Sequence, residues 1–293
     1  MANWRPERRA TVALATLVLC TACGGGGGGS SAPAAAPPVT DSGNTPSSTP
    51  TATPASPPET LAPATTIRIL ALYGSGVTAR YADPALRVEH LINVANDALN
   101  NSGTDVQLEL TGVEAVEYPA PGDLSTALDD VTFGRDPALD RVWVRRNAAA
   151  ADLVVLFVPY PNAGRCGIAW VGGASSNGDL TNSARFGYSV VAPSCSDYVL
   201  AHEIGHNLGL AHSRREEPDG GSLPYGAGYG VDGEFVTLMA TPDAFSAARL
   251  ARLSTPDQLC NNRPCGVDDA SGPDGADAVR AVNEVADQVA AYR

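Results

Sequence analysis

From residue 66 onward, apolar positions fall into short runs and helical stripes, separated by polar and glycine-rich stretches. Ile67, Ile69, Leu70, Ala71 and Leu72 form an apolar run that reads as a first strand, 67–73. Residues 83–100 carry Leu86, Leu91, Val94 and Leu99 at helical spacing. Asp83-Pro84 is a start signal for that helix, because aspartate can accept from a free first-turn N–H and proline has none to leave unpaired. Val106, Leu108 and Leu110 alternate with polar residues in a strand over 106–116, and 136–151 reads as a helix containing Trp143. The unbroken run Leu153-Val154-Val155-Leu156-Phe157-Val158 marks 152–158 as a central strand buried on both faces. A shorter strand follows at 189–192, then a helix at 198–210. The closing helix, 276–292, is amphipathic through Val279, Val282, Val285, Ala286 and Val289. Alternating strands and helices give an α/β (α+β) domain on one central sheet.

The pattern before residue 66 differs. Arg5, Arg8 and Arg9 precede an apolar stretch, 10–22, which is shorter than the ~20 residues a spanning helix needs and fits a secretory leader. It ends Leu19-Cys20-Thr21-Ala22-Cys23-Gly24, and small residues before a cysteine resemble a bacterial lipoprotein signal with Cys23 as the lipidated residue. Cys20 stands where such signals usually have leucine, and a plain leader cleaved nearby is the alternative. Residues 24–65 are almost all Gly, Ser, Pro, Thr and Ala. They offer too little apolar surface to offset the entropy of ordering, so a disordered tether is expected, with a reach on the order of 35 Å. The expected organisation is a signal over 1–23, a tether over 24–65 and one folded domain over 66–293. The expected location is the bacterial cell envelope or surface, through the lipid, with secretion as the alternative.

Charge narrows the partners. The net charge is −13 and every basic residue is an arginine. Nucleic acid and anionic membrane surfaces, which need clustered cations, are therefore excluded as partners; membrane contact is expected only through lipid at Cys23. Of six cysteines, Cys166, Cys195, Cys260 and Cys265 lie beyond the leader. An even number in an exported chain implies two disulfides, with three possible connectivities. The short spacing of Cys260 and Cys265 favours a small closed loop, which leaves Cys166 with Cys195. Asp268, Asp269, Asp274 and Asp277 could bind Ca2+, but a solvated acidic loop is the favoured explanation. No sequence feature speaks to the oligomeric state.

The chemistry concentrates in His202-Glu203-Ile204-Gly205-His206-Asn207-Leu208-Gly209-Leu210-Ala211-His212, which fits H-E-x-x-H-x-x-G-x-x-H at every fixed position. His202 and His206 are one helical turn apart and project from one face, so they can share an ion. Glu203 stands beside them within reach of a water on an open coordination position. Gly209 permits a bend that brings His212 back as third ligand. Three of the chain's four histidines lie in this segment, and only His90 lies elsewhere.

With these residues in place, the chain resembles the metzincin zinc metalloendopeptidases, in their bacterial reprolysin-like branch. The resemblance spans about residue 66 to the C-terminus and includes Tyr225-Gly226-Ala227-Gly228-Tyr229-Gly230 and the closing helix. It implies a zincin-like fold with a twisted, mostly parallel sheet, an antiparallel edge strand, an active-site helix and a C-terminal helix. It further implies one catalytic Zn2+ on His202, His206 and His212, Glu203 as general base toward a zinc-bound water, and a protein or peptide substrate. Met239, 27 positions after His212, is implied as the family's methionine turn. The segment Gly164-Arg165-Cys166-Gly167-Ile168-Ala169-Trp170 resembles the family's edge strand, which implies substrate binding at Gly167, Ile168 and Ala169. Two positions depart from the pattern: Ser213 follows the third histidine where reprolysins usually have aspartate, and Thr241 stands where some relatives carry a tyrosine. The alternative is a non-catalytic zinc-binding surface lipoprotein, an adhesin or receptor on a protease-like fold. The complete set of Glu203 and three histidines favours the enzyme.

Overall fold

Residues 64–119, 121–161, 164–174, 176–268 and 274–293 are described in the computed structural model. The expected signal over 1–23, with Cys23, and the tether up to residue 63 lie outside them. Strand β1 (Thr65–Gly74) leads through the single turn α1 (Ser75–Thr78) to helix α2 (Pro84–Ser102) and strand β2 (Val106–Val116). Helices α3 (Leu124–Phe133) and α4 (Val142–Ala148) come next, before strands β3 (Leu153–Phe157), β4 (Gly167–Ala169) and β5 (Tyr188–Val191) and helix α5 (Val199–Asn207). Beyond α5 run short strand pairs and one turn of helix: β6 (Ala211–Ser213) with β7 (Ala227–Gly228), β8 (Gly230–Val231) with β9 (Phe235–Val236), α6 (Pro242–Phe245), and β10 (Leu259–Cys260) with β11 (Arg263–Pro264). Helix α7 (Ala278–Ala290) closes the chain.

The main sheet has the order β2-β1-β3-β5-β4. Pairings among β2, β1, β3 and β5 are parallel, and β4 runs antiparallel to β5 at the edge. Period-two alternation sorts each strand's side chains between two layers. Ile67, Ile69, Ala71, Leu153, Val155 and Phe157 pack with α2, α5 and α7, while Leu70, Leu72, Val154 and Leu156 face α3 and α4. This is the zincin-like α/β architecture, and it sets α5 under the β5 and β4 end of the sheet.

The helix ends follow from local chemistry. Asp83 accepts from Leu86 N at 3.0 Å and Asp123 from Thr126 N at 3.0 Å, while Asp277 caps α7 through Arg280 N. Gly103 and Gly134 end α2 and α3 in the left-handed region, at φ 82° and 62°. The Asn261-Asn262 loop between β10 and β11 has φ 50° and 65°, as a two-residue hairpin turn requires, and Cys260–Cys265 ties it across. The second bridge, Cys166–Cys195, fastens the entry of β4 to the loop leading into α5.

The structure changes three expectations. Helix α3 was not anticipated, although Leu124, Ala127, Leu128 and Val131 bury one face. The helix expected over 136–151 shrinks to α4. The Asp136 side chain accepts from Ala138 N, four-residue turns are closed by Leu139 N donating to Asp136 O and Val142 N donating to Leu139 O, and Ala150 at φ 48° breaks the other end. Trp143 is 60% exposed and Leu86 62% exposed. The buried face of α2 is Val88, Leu91, Ile92, Ala95 and Leu99, and Leu86, five positions before Leu91, falls off that stripe.

Candidate metal centre

Helix α5 is buried along its whole length, with apolar residues in the main core and Asn207 and Glu203 against the β5 and β4 edge of the sheet. His202 and His206 leave it one turn apart. The chain then reverses at Gly209, whose φ of +83° is the left-handed region; a Cβ there would stand 2.8 Å from Ser222 Cβ and 3.0 Å from the Gly172 carbonyl. The reversal starts β6, which carries His212.

The three rings converge. His202 Nε2 lies 3.2 Å from His206 Nε2 and 3.2 Å from His212 Nε2, and the three ligand atoms all fall within 4.8 Å of one another. Each opposite ring nitrogen is held by an acceptor. His202 Nδ1 donates to the Leu238 carbonyl at 2.9 Å, His206 Nδ1 to the Leu210 carbonyl at 2.8 Å, and His212 Nδ1 to Glu217 Oε1 at 2.9 Å. With protons on Nδ1, three Nε2 lone pairs face a common point and repel unless a cation lies between them. Tetrahedral zinc with bonds of 2.0–2.1 Å spaces its ligands about 3.3–3.4 Å apart. The donor set fits zinc, and these histidines are the one potential metal-holding cluster of His, Cys, Asp and Glu among the described residues.

Electrostatics favour neutral rings on the helix. Burial, reinforced by the His206 charge, pushes His202 well below the usual histidine range. Burial also lowers His206 to about 4. At His212 burial is the largest single influence and pulls down, but the hydrogen bond and charge of Glu217, with Glu216 behind it, turn the net shift upward. The same bond drives Glu217 down to about 2. A carboxylate accepting from the far nitrogen fixes a ligand histidine's tautomer and makes it a better donor, so Glu217 is a positioning residue for His212. Its Oε2 also accepts from the His212 backbone N–H at 3.0 Å.

Glu203 is buried beside the rings, and that burial raises its carboxyl to about 8 against the pull of Arg249 and Arg165. Strand β4 passes so close that a Cβ on Gly167 would overlap the Glu203 carboxylate. Gly167, Ile168 and Ala169 thus form the sheet's outer edge directly over the glutamate. Asn207 locks this arrangement, donating to the carbonyls of Trp170 at 3.0 Å and Tyr188 at 3.2 Å. Beneath the helix, fully buried Met239 brings its sulfur to 2.5 Å from where a Cβ on Gly205 would stand. Thr241 donates to Glu216 Oε1 at 2.5 Å and Ser213 to Glu216 Oε2 at 2.6 Å, so Glu216 ties β6 to the turn after Met239.

Sequence reasoning missed Glu216, Glu217 and Arg249. Only the acidic pair just after His212 left a local signal, in a loop where two adjacent glutamates can reach back to that histidine. His90 sits apart, pairing with Asp197 at 3.1 Å. Of the acidic residues considered for Ca2+, Asp269 lies outside the described residues and Asp277 is occupied as a helix cap.

A model of metallo-peptidase family M12B, reprolysin-like, matches residues 64–270. Three curated relatives are each named peptidyl-Asp metalloendopeptidase. The Pseudomonas aeruginosa protein is 32% identical over 78% of this chain and 40% of its own length. The Stenotrophomonas maltophilia protein is 27% identical over 78% of this chain and 53% of its own, and the Xanthomonas campestris protein 28% over 69% and 46%. The chain thus spans about half the length of these relatives or less. Among solved structures, a chain from "Structure of a chaperone-substrate complex" superposes with a TM-score of 0.61 at 23% identity, over 79% of this chain and 35% of that one. That likeness concerns the fold alone.

Proposed function

This chain belongs to the reprolysin-like metallopeptidases of family M12B, and on that premise we propose that it is a zinc-dependent endopeptidase cutting peptide bonds that adjoin an aspartate. The observation that carries the reading is the convergence of three Nε2 atoms beside a buried glutamate, under an open sheet edge. The aspartate comes from the name shared by the relatives. A zinc ion held by His202, His206 and His212 would supply Lewis acidity to the substrate carbonyl and make a water acidic enough to ionise near neutral pH. Glu203 would take the proton of the attacking water and pass it to the leaving amine. The substrate would lie extended along β4 and bond its main chain to Gly167, Ile168 and Ala169. Just past β4, a cavity of about 360 Å³ lined by Trp170, Val171, Asp179 and Arg185 among others offers room for substrate side chains.

A panel of quenched peptides differing at one position tests this reading. Cleavage next to aspartate is expected, with activity lost to a chelator and restored by zinc. A purified chain that cleaves none of the panel, or keeps full activity in chelator, contradicts the protease reading. Export and lipid attachment at Cys23 belong to the same proposal, supported by the pattern of residues 1–24. Membrane fractionation of cells making the full chain or Cys23→Ser checks them; an unchanged membrane share in the variant would rule the anchor out.

A further inference from the structure

Arg249 stands out among the arginines that are at least partly buried. Arg146 is fully buried but satisfied, donating to the carbonyls of Ala151 at 3.1 Å, Ala184 at 2.6 Å and Asp152. Arg68 pairs with Asp152 and Arg87 with Asp197. Arg249 has none of this. Among the described residues its one side-chain hydrogen bond runs from Nη2 to the Ala240 carbonyl at 3.1 Å, and its Nε is buried with no acceptor. It forms no ion pair among the described residues, although the carboxylate of Glu216, which accepts from Ser213 and Thr241, lies close enough for its charge to act on the guanidinium.

Its place in the fold is equally unusual. The Arg249 backbone bridges Val236, and its side chain reaches the residue after Met239. That sets a guanidinium against the turn whose Met239 packs on Gly205 of the histidine-bearing helix. A half-buried cation beside a site that collects a cation is unfavourable unless an anion joins it. A guanidinium with free N–H groups presents a planar fork that matches a carboxylate.

Resting on the endopeptidase reading above, we propose that Arg249 is the specificity-determining residue of this site and receives the carboxylate of the substrate's acidic side chain next to the scissile bond. The direct ion-pair partner that Arg249 lacks among the described residues is brought by the substrate. The Arg249 charge then discriminates aspartate from its uncharged isostere asparagine.

The test measures kcat/KM for wild type, Arg249→Gln, Arg249→Met and Arg165→Gln on peptides that differ only as Asp, Asn, Glu or Leu at one position. Wild type should prefer Asp over Asn by about 10²-fold, the scale of a charge-assisted hydrogen-bond pair. That ratio should collapse toward one in both Arg249 variants and should persist in Arg165→Gln. A purely structural role would lower all four peptides together and leave the ratio intact. Retention of the ratio in the Arg249 variants, or its transfer to Arg165→Gln, overturns the proposal while leaving the protease reading standing. So does a wild type that cleaves without acidic preference. Should both Arg249 variants fail to fold or to bind zinc, Arg249 is a scaffold residue and the proposal falls; a wild type that cleaves nothing defeats the protease reading itself.

Discussion

Glu203→Gln is expected to lower kcat/KM by roughly 10²–10⁴-fold, the range attributed to a positioned general acid–base group, while the chain still binds one zinc. Glutamine has nearly the shape of glutamate and fills the same space under β4, so the helix and its histidines are left in place. What disappears is the oxygen able to accept a proton. Glu203 is not one of the three converging donors, so the metal should remain. Steady-state kinetics on a quenched peptide, paired with metal content by elemental analysis, separates the two effects. Undiminished cleavage would remove Glu203 from the chemistry, whereas loss of zinc would make it part of the metal cradle.

Gly209→Val should act through geometry and not chemistry. At φ +83° a β-branched residue is strained, and its Cβ would press on the Ser222 side chain and the Gly172 carbonyl. Strain and overpacking together should cost about 2–5 kcal/mol, read by urea unfolding of the metal-free chain. The bend also delivers His212, so zinc affinity and peptidase activity should fall along with stability. A variant that unfolds like wild type and binds zinc as tightly would show that the reversal after α5 does not depend on this conformation.

Much of the scaffold was legible from local patterns because local patterns report which face of an element is buried. The unbroken apolar run at 153–158 could only be a strand covered on both sides, and β3 is the centre of the sheet. The spacing of His202, Glu203, His206, Gly209 and His212 specified a turn of helix and a bend, and those are the elements that place them. The errors arose where periodicity was weak or where turn chemistry won. Leu124, Ala127, Leu128 and Val131 do have helical spacing, but that stripe is only ten residues long in a polar stretch. In the 136–151 segment, side-chain and short-range turn bonds at Asp136 displaced the first helical turns. Arg249 was not legible for a different reason. It lies ten positions past Met239 in an irregular segment, and only the tertiary return of that segment against Val236 brings its charge to Glu203. Glu217 likewise gains its role through a fold-dependent contact with His212.

Diffraction data collected on either side of the zinc absorption edge, from crystals of zinc-loaded protein, examine the metal centre most directly. One anomalous peak is expected, about 2.0–2.1 Å from the Nε2 atoms of His202, His206 and His212, with Met239 below it and Glu203 alongside. A zinc peak held by other residues, or histidine rings that diverge in the zinc-loaded chain, would contradict the assignment of this site and the peptidase chemistry built on it.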